Sequence, residues 1–549
     1  MRNKFLLTIL LVGIQIIGVK AQTSNTNNFS WENLPKVAQP AFKKDTFTIL
    51  QFGAVADGLT LNTKNINNAI TACSQNGGGV VLVPGGLWLT GPIEMKSNVN
   101  LHIVRDGILL FTTDFNQYPL VEGVYEGRRA ARNQSPIYGN NLENIAITGK
   151  GVVDGNGDVW RMVGKDRLTE SEWKKKVASG GLVSSDGKIW FPSAKTKRAF
   201  EQKRTSTMEP GQTLTDFEDI KDFLRPNLLV FNNCKKVLLE GVTFQSSAAW
   251  CLHPILCEDL TIRNVYAKNP DYAQNGDGVD VESCKNVLIE GSTFDVGDDG
   301  ICIKSGKDEE GRKRGKPTEN VIIRNNIVYK AHGGFVIGSE MSGGARNIFV
   351  YDCTFMGTDI GLRFKTARGR GGIVENIYVK NIRMKDIVSD AILFDMYYFM
   401  KPPGNNEKVV VPPVTEATPQ FQNFYISNIV CNGAERGIFL RGLPEMSVKN
   451  IVLSDILLKT NKGAEFIEAT DIHLNNVQLL SDKTNPVIYV ENSNNIELNG
   501  IRYTANPQLL LSVNGAKSGN IKMSNTNVSK LTNKVEFSHG ANATMVTMK

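Results

Sequence analysis

Over most of this chain apolar side chains recur at every second position in runs of four or five residues, and each run ends near an asparagine, aspartate or glycine. Copies stand at residues 237–241, 260–264, 287–291, 321–325, 348–352, 377–381, 424–428, 451–455, 472–476 and 496–499. A period of two is the mark of a β-strand with one face buried. The copies follow one another at roughly 21–34 residues, with one interval near 47, a spacing that belongs to a solenoid. Strands this short and this close leave no room for helical crossovers, so consecutive parallel strands must be joined by turns around a coil. The pattern therefore predicts an all-β chain, a parallel β-helix with one strand after another in a single winding. A leucine-rich repeat would need Leu-x-x-Leu-x-Leu runs with helices, and these are absent.

Three stretches break the pattern. Ile66, Ala69, Ile70 and Cys73 recur at helical spacing within residues 62–73, ahead of the strands, and predict an amphipathic helix that caps the exposed end of the core. The glycines at 77–79 that follow lead into a strand and lack a Lys-Ser/Thr pair, so they are not a phosphate loop. Residues 160–222 are rich in Lys, Glu and Arg, hold a helical fragment at 169–178, and include Trp160, Trp173, Trp190 and Phe191. An insertion of this length and aromatic content predicts an ordered lid on the scaffold. A proline-rich loop at 401–419 interrupts the later coils.

The chain opens with Arg2 and Lys4, continues with an apolar run from Phe5 to Gly18, and reaches Val19-Lys20-Ala21 before polar sequence. This predicts a secretory signal over residues 1–21, an N-terminal arm over 22–44, and a β-helix domain over 45–549. The product would be exported, periplasmic or extracellular, with no membrane span after cleavage. Without Arg2, Lys4 and Lys20 the net charge falls from +7 to about +4, which does not point to nucleic acid. Eight cysteines in an exported chain could pair, yet Cys234, Cys284, Cys302 and Cys353 lie among apolar residues, where a free thiol behaves as a small hydrophobe, and the sequence leaves both states open. No Cys-x-x-Cys metal spacing is present.

The chemistry gathers between Asn275 and Lys365. Four segments align: residues 276–281, 298–303, 332–337 and 359–364, each a glycine-containing turn followed by an apolar strand. In that register Asp277 and Asp299 share a column, and Asp298 and His332 share the next. Neighbouring strands stand about 4.8 Å apart. Three carboxylates and an imidazole thus converge on one patch, with Arg363 and Lys365 one step further on. An isolated Asp-Gly is ordinary turn chemistry; three aspartates aligned with a histidine point to acid/base chemistry on an anionic substrate.

These motifs resemble those of glycoside hydrolase family 28, the polygalacturonases. Asn275-Gly276-Asp277 is similar to the family's Asn-Thr-Asp, Gly297-Asp298-Asp299 to its Gly-Asp-Asp, Ala331-His332-Gly333 to its Gly-His-Gly, and Arg363-Phe364-Lys365 to its Arg-Ile-Lys. Tyr398 is the best match to a family tyrosine about 35 residues beyond the arginine. The resemblance implies a right-handed winding and an inverting hydrolase acting on pectic polysaccharide or oligogalacturonide, with no cofactor and no metal. It implies Asp298 as general acid, Asp277 and Asp299 as the groups that hold and activate water, His332 beside them, and Arg363, Lys365, Tyr398 and Asn275 on the substrate. His253, one coil before Asp277, is a further candidate for the cleft. Gly276, Ala331 and Phe364 depart from the family pattern without removing a titratable group. The insertion and the 401–419 loop would wall off one end of the cleft and make the enzyme exo-acting. Two rival readings remain: a calcium-dependent pectate lyase with an arginine base, and a non-catalytic β-helix that binds carbohydrate.

Overall fold

The computed structural model describes residues 29–402, 411–529 and 531–549. The predicted leader, the first part of the arm and the middle of the 401–419 loop lie outside these residues. The described residues up to Leu34 belong to a unit of their own, with a turn closed by reciprocal backbone hydrogen bonds between Ser30 and Asn33. Residues Pro35–Lys549 form the second unit.

That second unit is a parallel β-helix. All ten predicted repeat strands fall in one 24-stranded sheet, joined by parallel pairing from coil to coil, as in Val237↔Leu260↔Val287↔Val321↔Ile348↔Ile377. The aligned chemical segments belong to a second sheet of 14 strands, so each coil places a repeat strand in one wall and a functional strand in another. The inward residues of both walls meet in one continuous apolar core.

Asparagine marks the coils for a physical reason. Asn381, Asn428 and Asn476 take positive φ, as does Asp352, a conformation that short polar side chains tolerate better than branched ones. Their amides also bridge coils: Asn381 Nδ2 donates to Asp352 Oδ1 at 2.8 Å, and Asn428 Nδ2 to Asn381 Oδ1 at 2.7 Å. A second ladder runs from Asn286 through Asn320 to Asn347 at the start of the strands.

The helix Thr63–Gln75 buries Ile66, Ala69, Ile70 and Cys73 in the same core as the first coils. In the insertion, Glu170–Ala178 is a helix started by a capping box of Thr169 and Glu172. A second helix covers Ala194–Glu201, and three short antiparallel strands pack Val163, Trp173 and Trp190 together. An element that the alternation analysis did not find, the hairpin of Leu120–Tyr125 and Arg128–Asn133, joins this layer. Ala131, on the hairpin, shares an apolar cluster with Ala199, Met208, Phe217, Ile220 and Leu224. All eight cysteines are free and buried, three of them stacked as Cys234, Cys257 and Cys284.

Candidate active site

The site is built on the strands Val279–Glu282, Asp299–Lys304, Gly333–Ile337 and Leu362–Lys365. Their registers, Val279↔Ile301↔Phe335↔Leu362, bring Asp277 level with Asp299 and Asp298 level with His332. Backbone bonds tie the turns together: Gly278 N–H donates to the Asp299 carbonyl and His332 N–H to the Asp298 carbonyl, both at 2.9 Å. Gly278, directly after Asp277, and Gly361, just before the last site strand, are required by tight corners. A Cβ on Gly278 would lie 2.5 Å from the Gly300 carbonyl oxygen, and one on Gly361 would lie 2.6 Å from that of Ala391.

One carboxylate oxygen from each of Asp277, Asp298 and Asp299 lies within 4.8 Å of the other two. Asp277 and Asp299 are buried, while Asp298 is partly open to solvent. Asp299 accepts from Arg363 Nη1 at 3.0 Å and Lys365 Nζ at 2.8 Å. Burial alone would raise its proton affinity, but Lys365 and Arg363 together hold it well below the usual carboxylate range. Asp277 is the opposite case: burial first, then the charges of Asp280 and Asp298, push its affinity well up, and its Oδ1 finds no hydrogen-bond partner. His332 Nδ1 lies 3.1 Å from Asp298 Oδ1, and that bond raises the affinity of the imidazole for a proton. The three oxygens are close enough to approach one cation, and Arg363 and Lys365 already supply positive charge there.

The Tyr398 ring stands 4.9 Å from Lys365 Nζ and 5.8 Å from the Arg363 guanidinium, whereas Tyr397 turns away to Arg368 and Arg441. Asn275 takes positive φ, and its Oδ1 accepts from Arg225 at 2.9 Å. His253 is buried. It is 1% exposed, its Nε2 is 3.0 Å from Glu282 Oε2 and its Nδ1 is 3.2 Å from Asn227 Nδ2. Both ring nitrogens are engaged, so His253 links Glu282 to Asn227 at the edge of a pocket that Arg132 and Tyr138 also line. The family departures also find reasons. A Cβ at Gly276 would meet the Cβ and carbonyl oxygen of Ala273 at 2.7 Å, while Ala331 and Phe364 face the core and leave the cleft unchanged.

Sequence reasoning missed a second charged layer: Asp280, Glu282, Lys304 and Glu340, all buried. The available signal was parity, since Asp280 and Glu282 alternate with core-facing Val279 and Val281 and so share the outward face.

The insertion and hairpin close on this patch. Arg161 and Arg225 both donate to the Gln274 carbonyl, at 2.6 and 2.7 Å, directly ahead of the Asn275 turn. The hairpin tip is held by Lys307 N–H donating to the Gly127 carbonyl at 3.1 Å and by an Arg128–Asp308 ion pair. Below the tip, the Tyr125 ring packs 4.9 Å from Trp250, and the Arg132 guanidinium lies over the same ring at 3.7 Å.

Comparison with known proteins decides the family. Residues 165–418 match the profile of "Glycosyl hydrolases family 28". The crystal structure of a hyperthermoactive exopolygalacturonase from Thermotoga maritima is 32% identical, with 81% of this chain and 94% of that one aligned at a TM-score of 0.65. This chain belongs to glycoside hydrolase family 28. A probable polygalacturonase of Vitis vinifera is 28% identical over 75% of this chain and 74% of its own length. An exo-poly-alpha-D-galacturonosidase of Dickeya chrysanthemi is 26% identical over 84% of this chain and 73% of its own. Membership makes the chain a glycoside hydrolase. No described helix is long and apolar enough to cross a membrane.

Proposed function

We propose that this family 28 enzyme hydrolyses the α-linked galacturonic acid residues of pectic chains, working from a chain end outside the cytoplasm. The observation that carries the reading is the convergence of three carboxylate oxygens within 4.8 Å beside two fixed cations, Arg363 and Lys365. A galacturonate ring presents a carboxylate, and a guanidinium beside an ammonium suits it. Asp298, hydrogen-bonded to His332, gives its proton to the glycosidic oxygen as that bond breaks. Asp299, kept ionised by Arg363 and Lys365, orients a water. Asp277, whose environment makes it the more avid base of the pair, takes that water's proton as oxygen bonds to the anomeric carbon. Inversion follows if water enters opposite the leaving group. The carboxyl spacing is tighter than the about 6.5–9.5 Å usual for inverting pairs, so the first product's anomer, read by proton NMR, tests this step.

The end-acting part rests on the lid. Arg161 and Arg225 fasten both ends of the insertion to the backbone just before Asp277, and the hairpin tip is pinned beyond the Asp299–Lys304 strand. Oligogalacturonides labelled at the reducing end supply the test. Saturated monogalacturonate appearing from the first time point, with the labelled chain shortening by one unit, fits the reading. Random labelled fragments with a rapid loss of viscosity would refute the closed end. A lyase would give unsaturated, calcium-dependent products, and a binding protein would give none.

A further inference from the structure

Beside the three carboxylates lies a buried ion cluster that the reaction above does not use. Lys304 stands at the end of the strand that begins with Asp299 and is only 4% exposed. Its Nζ is 3.4 Å from Asp280 Oδ1, 3.2 Å from Glu340 Oε2, and 4.6 Å over the Trp250 ring. A buried ammonium is costly unless paired, and here two acids and an aromatic face share it. Asp280 is fully buried and neither of its oxygens makes a hydrogen bond; Asp277 Oδ1, three residues earlier, is equally unpartnered.

The surrounding charges are otherwise committed. Two site strands further on, Arg363 and Lys365 both bind Asp299, and Lys365 also acts on Glu340. On the preceding strand, Glu282 is taken by His253 and by Arg314, at 3.0 and 2.5 Å. From its own strand Lys304 faces the thiol of Cys302, and Asp298 and Asp299 add negative charge to the pair Asp277–Asp280. Lys304 is thus the cation set against Asp280, and Glu340 draws it from the other side.

We propose that Lys304, gripped by Glu340, is a positioning residue that sets how readily the Asp277–Asp280 pair takes up a proton, and so the pH at which Asp277 becomes a working base. Supporting this, burial leaves Asp280 protonated up to about 8 even with Lys304 opposing it. Without the ammonium both carboxyls would hold their protons still more firmly. Without the Glu340 charge they would release them more easily, because Glu340 repels the ionised form of Asp280 and shares its cation.

The inference rests on Asp277 acting as the base, and its test separates the two ideas. The pH profile of kcat/KM on polygalacturonate is measured for the parent, Lys304→Met, Glu340→Gln and Lys304→Arg. The acid limb moves up by about one pH unit or more in Lys304→Met, moves down in Glu340→Gln, and returns toward the parent in Lys304→Arg. Limbs that stay in place while rates fall, or that move the same way in both variants, overturn the proposal. If Lys304→Met does not fold, Glu340→Gln decides alone: an unmoved or raised limb is contradictory. Carboxyl titration followed by NMR of carbon-labelled aspartate gives the same readout without substrate. Oppositely displaced titrations support the role of Lys304 even if Asp277 is not the base, and coincident titrations reject it.

Discussion

Asp277 and Asp299 occupy equivalent corners one coil apart, yet they hold protons in opposite ways. Both are buried, and the difference lies in the neighbours: Lys365 and Arg363 for one, Asp280 and Asp298 for the other. Stability should follow the same division. Asp299 binds protons less tightly folded than unfolded, so its stabilisation is present above the unfolded value near 4 and is lost as pH falls toward the folded value. Asp299→Asn leaves Lys365 and Arg363 without their shared partner, and a loss of about 3–5 kcal/mol is expected at neutral pH, shrinking toward pH 3, by denaturant unfolding. Asp280 behaves inversely. Its folded form keeps a proton up to about 8 while the unfolded chain releases it near 4, so stability drains away as pH rises through that window. Asp280→Asn should raise Tm, and the gain should widen from pH 5 to pH 8. Residues in motifs or turns, Asp277, Asp298, Asp299, His332 and Arg363, were legible in the sequence because alignment of the turns put them on one level. Asp280 and Lys304 were overlooked, and the buried partners of His253 were not foreseen, because strand parity gives a residue's side but not whether another side chain already covers it.

At the scale of elements, the same alternation of small turns and apolar strands explains both the coil and its asparagine ladders. Asn381 combines positive φ with bonds to Asp352 below and Asn428 above. Asn381→Ala loses both, and about 1–2 kcal/mol of stability is expected to go with them. Replacement by glycine keeps the backbone conformation and should recover part of that loss in thermal unfolding. The hairpin was invisible to a search for repeats because it is antiparallel and belongs to none. Its signal was the turn Glu126-Gly127, where both residues take positive φ, as two-residue hairpin turns demand. Gly127 carries the latch: a Cβ there would lie 2.6 Å from Lys307 N and 2.7 Å from the Gly306 carbonyl carbon. Gly127→Val should therefore unseat the tip. Faster proteolytic cutting within residues 120–133 and a shift from monomer toward longer products are expected; unchanged products with a displaced tip would show that the hairpin does not set where the chain is cut.

For the whole molecule, length and repeat spacing carried most of the architecture, since ten strands at that period admit few folds. They left out how a coil divides its labour. Repeat strands build one wall and functional strands another, and only coil-to-coil pairing reveals that the two patterns interleave. The division lets the core stay continuous beneath a site crowded with buried charge, with Phe335, Phe364, Phe394 and Phe424 packed directly behind Arg363 and Lys365. It also places the insertion where it reaches the Asn275 turn without interrupting a coil. The activity proposed for this architecture is hydrolysis of a uronate chain by the Asp277, Asp298 and Asp299 cluster. The most direct measurement is the product profile on polygalacturonate with a calcium chelator present, for the parent and for Asp298→Asn, following reducing ends and ultraviolet absorbance together. Saturated galacturonate is expected from the parent at full rate, with a loss of about 10²–10⁴-fold in the variant. Ultraviolet-absorbing products abolished by the chelator, or an Asp298→Asn variant as active as the parent, would contradict the proposed activity.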